Sequence, residues 1–487
     1  MDEQKRLKKN LWTYPTGTIG RDAVYVLINN YLLTFVLFTH TLNAAQLTAI
    51  TGIMIAARVF DALNDPLMGN IIEHTRTRFG KFKPWLVIGV LTTSVVIYLM
   101  YNVKLTGWAF VVFFGVMYFA FSITYTMNDI SYWGMIPALS SDANARNQLT
   151  SRATLFAGIG NTGAMVLIPL FTAGKNAIGG NAQTAYGVIA LVVAVLAPLF
   201  LSITVFGARE HREDQATKPE KFSFRQVLKT IIRNDQLVWV AAIFLLQQIG
   251  NGLITGGIGS TYIYVTYGYE GGLYSLFTTI GMSVTAFMII FYPAISRKLH
   301  RKQLMRIMTV VATIGYALML LSGFISGAGT GKFACLVIGY MLCNLGQNAF
   351  YLIMMISIMN TVEYNEYKFG TRDEGIITSL RPFITKLGGA LIVAITSATY
   401  LIFGVTNFTN QISDLEQKCN QGLISEAAKL TQINVVLADV SSSQGFALLI
   451  FMTVVPCIPM ILSYLLYKKH YKLDEEEYDR ICKELGK

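Results

Sequence analysis

The most prominent feature of this chain is a series of long apolar runs separated by short polar connections. Twelve runs are long enough to cross about 30 Å of hydrocarbon as α-helices. They cover approximately residues 21–40, 46–68, 84–103, 107–136, 150–173, 184–207, 236–258, 271–294, 305–326, 333–361, 376–403 and 444–467. The pattern predicts an all-α polytopic membrane protein with twelve transmembrane helices.

The polar connection at residues 207–235 divides these runs into two groups of six. We therefore expect an N-terminal six-helix bundle over residues 1–206, a cytoplasmic linker loop, and a C-terminal six-helix bundle over residues 236–468. The second bundle includes another long polar connection, residues 407–443, which we interpret as a solvated outer loop or partial lid. Residues 469–487 form a predicted cytoplasmic tail.

Two basic stretches indicate an internal repeat. T-R-T-R-F-G-K-F-K-P follows the second run, and P-A-I-S-R-K-L-H-R-K follows the eighth run, at the corresponding place in the second half. Internal repetition of this kind is typical of carriers that open alternately to the two sides of a membrane.

Composition and charge support the membrane interpretation. Of the 487 residues, 53% are hydrophobic and 14% are charged, and the mean hydropathy is +0.48. The net charge of +11 arises mainly from the even-numbered connections. Since Lys and Arg mark the cytoplasmic side, we place both termini in the cytoplasm. The expected setting is the cell (inner) membrane, with lipid around a monomer and no nucleic-acid partner.

Other common chemistries lack their sequence signatures. The five cysteines and five histidines show no metal-ligand or redox spacing. The nearest approach to a phosphate loop, S-G-A-G-T-G-K, lacks the first glycine and the Ser or Thr after the lysine. We therefore expect no cofactor and no use of ATP.

Charged side chains within the second apolar run indicate a functional site. Arg58, Asp61, Asn64 and Asp65 lie in this run, where an ionised group costs several kcal/mol unless it is paired or hydrated. On a helix, Asp61 and Asp65 are one turn apart on one face, with Asn64 beside them. The convergence of three oxygen-bearing side chains predicts a site for a small cation or a proton.

Other runs also contain charges. Asp129 precedes Trp133 by one turn inside the fourth run, and Lys386 is deep in the eleventh run, where it needs an acidic partner such as Asp61, Asp65 or Asp129. We predict that the Trp133 ring stacks on a sugar while the charged groups bind its hydroxyls. The alternative is that Trp133 lies at the membrane interface. The Arg21-Asp22 pair at the start of the first run is either part of this site or an interface marker.

Several segments together resemble one transporter family. They are R-x-x-D-A-x-N-D-P-x-x-G, T-R-x-R-x-G-K-F-K-P-W, N-D-I-x-Y-W-x-x-x-P, E-Y-x-E-Y-K-x-G-x-R-x-E-G and K-L-G-G-A. These segments are similar to those of the glycoside-pentoside-hexuronide:cation symporters of the major facilitator superfamily. The resemblance implies two six-helix bundles and symport of a glycoside or oligosaccharide with Na⁺, Li⁺ or H⁺.

The resemblance also implies roles for individual residues. The cation would bind to Asp61, Asn64 and Asp65, with Thr126 nearby, and a metal bound by the two aspartates would be Na⁺ rather than a transition metal. The residues implied in sugar binding are Asp22, Asp129, Trp133, Arg152 and Lys386, with Lys386 linking sugar to cation. Arg58 and Glu363 are expected to belong to a gating charge network.

One departure from the family suggests an acidic substrate. Arg381 occupies the place of a neutral glutamine in the melibiose permease, and a guanidinium can bind a carboxylate through two hydrogen bonds. A hexuronide is therefore one predicted substrate, provided that Pro382 bends the helix enough for Arg381 and Lys386 to share a cavity.

The sequence leaves three alternatives to a symporter. An uncoupled sugar facilitator or exporter would not need the converging carboxylates. A polytopic membrane enzyme acting on lipid-linked sugars would be expected to carry a large soluble catalytic region. A sugar-sensing receptor would be expected to carry a long output domain. We therefore predict a transporter and not an enzyme.

Overall fold

The structure, a computed structural model, describes residues 3–140, 142–209, 224–371 and 373–486, which form helices without a single strand among them. This confirms the all-α prediction. The helices are α1 (Glu3–Asn30), α2 (Leu32–Thr39), α3 (Ala44–His74), α4 (Lys83–Asn102), α5 (Gly107–Leu139), α6 (Ala143–Thr172), α7 (Ala182–Gly207), α8 (Phe224–Arg233), α9 (Asp235–Leu253), α10 (Gly259–Tyr267), α11 (Gly271–Ser296), α12 (Arg301–Ser322), α13 (Thr330–Phe369), α14 (Glu374–Ile402), α15 (Val405–Asn420), α16 (Glu426–Ala438), α17 (Ser442–His470) and α18 (Glu475–Glu484).

The number of membrane spans agrees with the hydropathy pattern. Within the described ranges, 11 segments are long and apolar enough to cross a membrane, and 12 are found when the bent pair α1–α2 is counted as one span. Large apolar side chains such as Leu91, Val95 and Val112 are more than half exposed. Such exposure is expected where lipid, rather than water, surrounds the helices. Of the predicted linker, residues 210–223 lie outside the described part of the chain.

The first span begins much earlier than the hydropathy pattern predicts. Helix α1 starts at Glu3 and is followed, after a bend of 49°, by α2. Its polar first half is packed against protein: Asn10 and Tyr14 are both completely buried. The Asn10 amide forms two hydrogen bonds with the backbone of Arg209, at 3.2 and 3.0 Å. Satisfied polar groups therefore extend this helix beyond the apolar run.

The seventh span is broken, which the sequence analysis did not predict. It runs from Asp235 to Tyr267, and one turn of π-helix, Ile254–Ile258, separates α9 from α10. Gly257 in this turn has a φ of 118°, which is readily accessible only to glycine. The predicted span, which ends at residue 258, covers α9 and this turn but not α10.

The described residues group into two compact units. The first contains residues up to 209 together with 269–275 and 406–438; the second contains residues 224–268, 276–405 and 439–486. Residues 406–438, which we call the strap, therefore group with the first unit although they connect two spans of the second.

The two units repeat one pattern of helix packing. In the first, α1 packs against α6 and α7, and α4 packs against α5 and α7. In the second, α9 packs against α14 and α17, and α12 packs against α13 and α17. In terms of spans, the pairs 1–5, 1–6, 3–4 and 3–6 recur as 7–11, 7–12, 9–10 and 9–12. The repeat indicated by the two basic stretches thus has a counterpart in the packing.

Small residues allow α1 to lie very close to its neighbours. A Cβ atom at Gly20 would meet the Ala197 backbone at 2.5 Å, and one at Gly160 would meet the Ile19 carbonyl oxygen at 2.2 Å. Close approach through glycine is a common way to pack helices in lipid, where van der Waals contact stabilises their association.

This packing predicts opposite outcomes for two glycines of α6. Gly160→Ala should lower the thermal unfolding temperature of the detergent-purified protein, because the new methyl group forces α1 and α6 apart at a cost of about 1–3 kcal/mol. Gly163→Ala is the matched control, since a Cβ there meets nothing within 4 Å; it should leave stability unchanged or raise it. Equal melting temperatures for both variants would contradict the packing account.

Candidate substrate and cation site

One buried guanidinium joins two carboxylates in the first unit. Arg21 on α1 is 7% exposed; its Nη2 lies 2.8 Å from Oδ2 of Asp22, and its Nη1 lies 3.0 Å from Oδ1 of Asp129 on α5. The guanidinium carbon is also 4.9 Å from the ring centroids of both Tyr132 and Trp133. The side chains of Asp22 and Asp129 are more exposed to solvent, at 18% and 36%. This substrate cluster, defined by these five residues, thus contains a buried cation behind two accessible carboxylates.

A pair of tyrosines holds α1 and α5 in the register that this cluster requires. The rings of Tyr14 and Tyr132 stack with centroids 4.5 Å apart. The Tyr14 hydroxyl donates to the Tyr132 carbonyl at 2.7 Å, and the Tyr132 hydroxyl donates to the Tyr14 carbonyl at 2.6 Å. The sequence analysis does not name Tyr14, and for Arg21 it leaves open whether the residue belongs to the site or marks the interface. Only the need to neutralise buried carboxylates indicates the arginine.

The predicted cation ligands lie between α3 and α5. Ser122 donates a hydrogen bond to Oδ1 of Asp61, and Thr126 donates one to Oδ1 of Asp65 at 2.9 Å. The partners are four residues apart on both helices, so two successive turns of α3 face two successive turns of α5. The structure thus places Asp61, Asp65 and Thr126 at one helix interface, together with Ser122, which the sequence analysis does not name.

The two aspartates differ in their surroundings. Asp61 is 2% exposed, and its Oδ2 lies 3.6 Å from Nη1 of Arg58. Arg58 also donates to Oδ1 of Asn29 on α1. Asp65 is partly exposed, whereas its neighbour Asn64 is buried, and its Nδ2 has no hydrogen-bond partner among the residues that the structure describes. Of the two carboxylates, Asp65 is therefore the more accessible to an incoming ion.

Arg152 does not join the substrate cluster. Its Nη1 donates to the Leu11 carbonyl at 3.3 Å, and its guanidinium lies 4.8 Å from the centre of the Trp12 ring. Leu11 and Trp12 lie ten and nine residues before Arg21 on α1, which is about 14–15 Å along a helix. The geometry connects Arg152 to the first part of α1 rather than to Asp22 and Asp129.

The remaining predicted residues lie in the second unit. Arg381 is exposed on α14 and its Nη2 donates to the Tyr351 hydroxyl at 2.8 Å. Lys386, partly exposed, follows on the same helix, which continues through Pro382. Glu363 near the end of α13 interacts with Tyr478 of α18. The predicted gating residues Arg58 and Glu363 thus each have contacts within their own unit.

Comparison with known proteins gives the family. The family model described as MFS/sugar transport protein matches residues 13–475. The chain belongs to this family. The match confirms the resemblance to the glycoside-pentoside-hexuronide:cation symporters, and the family consists of transporters rather than enzymes.

Two individual relatives are similar to this chain in sequence, and one solved structure shares its fold. The chain is 32% identical to a lactose permease of Lactobacillus delbrueckii subsp. bulgaricus over 83% of its own length and 64% of that protein. It therefore spans less than two thirds of that curated relative. It is 25% identical to a glucuronide carrier protein homolog of Escherichia coli K12, over 78% and 80% of the two chains. A crystal structure of a D-xylose-proton symporter shares the fold, with a TM-score of 0.60, 12% identity, and coverage of 90% and 99%.

Because Arg21 contacts both Asp22 and Asp129, we expect it to stabilise the packing of α1 against α5. Arg21→Met should lower the thermal stability of the purified protein by up to about 3 kcal/mol, because two carboxylates lose their common cation. Adding Asp129→Asn should recover part of this loss, since only one carboxylate then remains. Arg381→Met, at an exposed arginine, serves as the control and should change stability by about 0.5 kcal/mol or less. A double variant less stable than Arg21→Met would contradict the bridging role.

Proposed function

We propose that this chain is a cation-coupled sugar symporter of the cell membrane with both termini in the cytoplasm. The observation that carries the proposal is that the substrate cluster and the cation ligands share α5. Thr126, beside Asp65, and Asp129, beside Arg21, are three residues apart on this helix, an axial rise of about 4.5 Å. Membership of a sugar-transport family and a relative named lactose permease support the choice of substrate class.

The substrate cluster has the groups that a sugar needs. The partly exposed carboxylates of Asp22 and Asp129 can accept hydrogen bonds from hydroxyl groups, while the Trp133 ring offers a face for the apolar side of a pyranose. Arg21 fixes the positions of both carboxylates, because its guanidinium contacts them from the buried side. In this assignment Arg21 orients the acceptors and the aspartates bind the sugar.

The cation binds next to Asp65. An Na⁺ ion or a proton reaches this carboxylate more easily than Asp61, which is enclosed by Arg58 and Ser122. The hydroxyl of Thr126 and the carbonyl oxygen of the Asn64 side chain supply further oxygen ligands of the kind that hard cations prefer.

Coupling follows from the shared helix. Neutralising Asp65 changes the charge and the hydrogen bond at Thr126, and α5 passes this change to Asp129 one turn away. If the cation raises sugar affinity by a given factor, the sugar must raise cation affinity by the same factor. The two bundles then change access while both ligands are bound.

Charge balance in the substrate cluster favours a neutral glycoside over a hexuronide. One guanidinium faces two carboxylates there, so a negatively charged sugar would be repelled. Arg381, the residue that suggested an acidic substrate, lies in the second unit and hydrogen-bonds to Tyr351.

Loss of the cation ligand should separate coupling from sugar movement. In proteoliposomes with an imposed Na⁺ or H⁺ gradient, wild-type protein should accumulate a labelled galactoside. Asp65→Asn should abolish accumulation yet retain exchange of internal for external sugar, because the substrate cluster is intact. Asp414→Asn, at an exposed ion pair with Lys418, is the matched control and should accumulate sugar normally.

Two results would reject parts of this proposal. Accumulation by Asp65→Asn at the wild-type level would show that the cation binds elsewhere. Equilibration of sugar by the wild type without response to either gradient would identify an uncoupled facilitator.

Repulsion between the two carboxylates and an acidic sugar should also be visible in substrate specificity. Wild-type protein should accumulate a labelled glucuronide at least about tenfold less than the galactoside, equivalent to about 1.4 kcal/mol, and Arg381→Gln should not change this ratio. A glucuronide preference that disappears in Arg381→Gln would instead support an acidic substrate recognised by that arginine.

A further inference from the structure

The strap, residues 406–438, is anchored by a buried ion pair. Lys429 of α16 and Glu416 of α15 are both 0% exposed, and Lys429 Nζ lies 3.2 Å from Oε2 of Glu416. The same carboxylate oxygen accepts a hydrogen bond from the Ala182 amide at 2.7 Å, and the ammonium donates to the Gly180 carbonyl at 2.6 Å. Both charges are thus bonded to the first unit, Glu416 to the first residue of α7 and Lys429 to the connection that precedes it.

These contacts make docking of the strap energetically important. Burial raises the pKa of the Glu416 carboxyl above its usual value, while Lys429 and the Ala182 amide act in the opposite direction. A buried charge is tolerated when its partners are in place, and losing one partner is costly. The backbone groups of Ala182 and Gly180 are such partners, so undocking would break bonds to both charges.

Amide side chains of the strap bind a second connection of the first unit. Asn410 accepts from the Leu42 amide at 3.0 Å and donates to the Leu42 carbonyl at 2.8 Å. Gln417 donates to the Thr39 carbonyl at 3.1 Å. The strap therefore bonds to the α2–α3 connection as well as to the α6–α7 connection.

A third group of bonds lies at the end of α15. Asn420 donates to the side chain of Gln183 at 2.9 Å and accepts from the Thr184 hydroxyl at 3.1 Å. Both partners are in the first turn of α7, next to Ala182. These side-chain bonds surround the ion pair and keep the strap in one position.

The ends of the strap differ from this rigid centre. It joins α14 at residues 403–405, where Gly404 has a φ of 65°, and joins α17 at residues 439–441. Both neighbouring helices belong to the second unit. Where the strap connects the units, movement between them while the strap stays docked must therefore be accommodated in these two short joints.

We propose that the strap is a clamp of the first bundle, which stays docked through the Glu416–Lys429 pair and moves with that bundle while its two joints flex. The clamp keeps the predicted outer ends of spans one and two together with those of spans five and six. The movement rests on the proposed transport function, whereas the docking does not.

Distances between spin labels test the clamp. In a background without the five native cysteines, labels at Val435 of the strap and Trp108 at the start of α5 measure its distance from the first bundle. Labels at Val435 and Phe324 measure its distance from the second. These three positions are 58%, 54% and 70% exposed. Each pair is measured with and without galactoside plus Na⁺ at two pH values.

The clamp predicts one narrow Val435–Trp108 distance under all conditions and a Val435–Phe324 distance that changes with ligands. A Val435–Trp108 distance that changes or splits into two populations would overturn the proposal, as would two constant distances in labelled protein that accumulates sugar. Uptake by the labelled protein is recorded separately, and its absence would count against the transport function alone.

Variants of the Glu416–Lys429 pair test the docking of the strap even if the protein shows no transport. Glu416→Gln should broaden the Val435–Trp108 distance distribution, because it leaves Lys429 buried with a neutral partner. In the double variant Glu416→Gln with Lys429→Met, the Val435–Trp108 distance distribution should be narrow again. The control Asp414→Asn breaks an exposed pair on the same helix and should leave it unchanged. An unchanged distribution in Glu416→Gln would overturn the role of the ion pair.

Discussion

The structure of the first bundle depends on how charges are compensated inside apolar helices. An ionised side chain surrounded by lipid-facing helices must find an opposite charge, a hydrogen-bond donor or water. Arg21 meets this requirement for Asp22 and Asp129, and Arg58 contributes to it for Asp61. Arg21 lies on α1 and Asp129 lies on α5. Pairing of these two charges therefore also determines that α1 and α5 are neighbours.

Helix α5 is the element on which both parts of the candidate site converge. It contributes Ser122 and Thr126 to the aspartates of α3, and Asp129 to the arginine of α1. A small displacement of α5 changes the distances in both clusters at once. Stacking of Tyr132 on Tyr14 fixes the same helix to α1.

Hydropathy predicted the spans well because lipid requires continuous apolar helices with internally satisfied backbones. It failed where polar segments are packed against protein: the first half of α1, around Asn10 and Tyr14, and the Gly257 turn in the seventh span. The carboxylates of α3 were recognised because charge within an apolar run is conspicuous. Arg21, Ser122 and Tyr14 were harder to recognise, since their importance arises only from side chains distant in sequence. The strap was unpredictable for the same reason: Glu416 and Lys429 resemble ordinary charges of a solvated loop.

The proposed transport mechanism requires that one helix, α5, couples a cation to a sugar. The most direct test is calorimetric binding of a neutral galactoside to the purified protein while Na⁺ concentration and pH are varied separately. The account predicts that sugar affinity rises, by a factor of roughly 5 to 150, when either Na⁺ is added or the proton concentration is increased, and that the sugar raises affinity for the same ion equally. A sugar affinity that is identical under all of these conditions would contradict it.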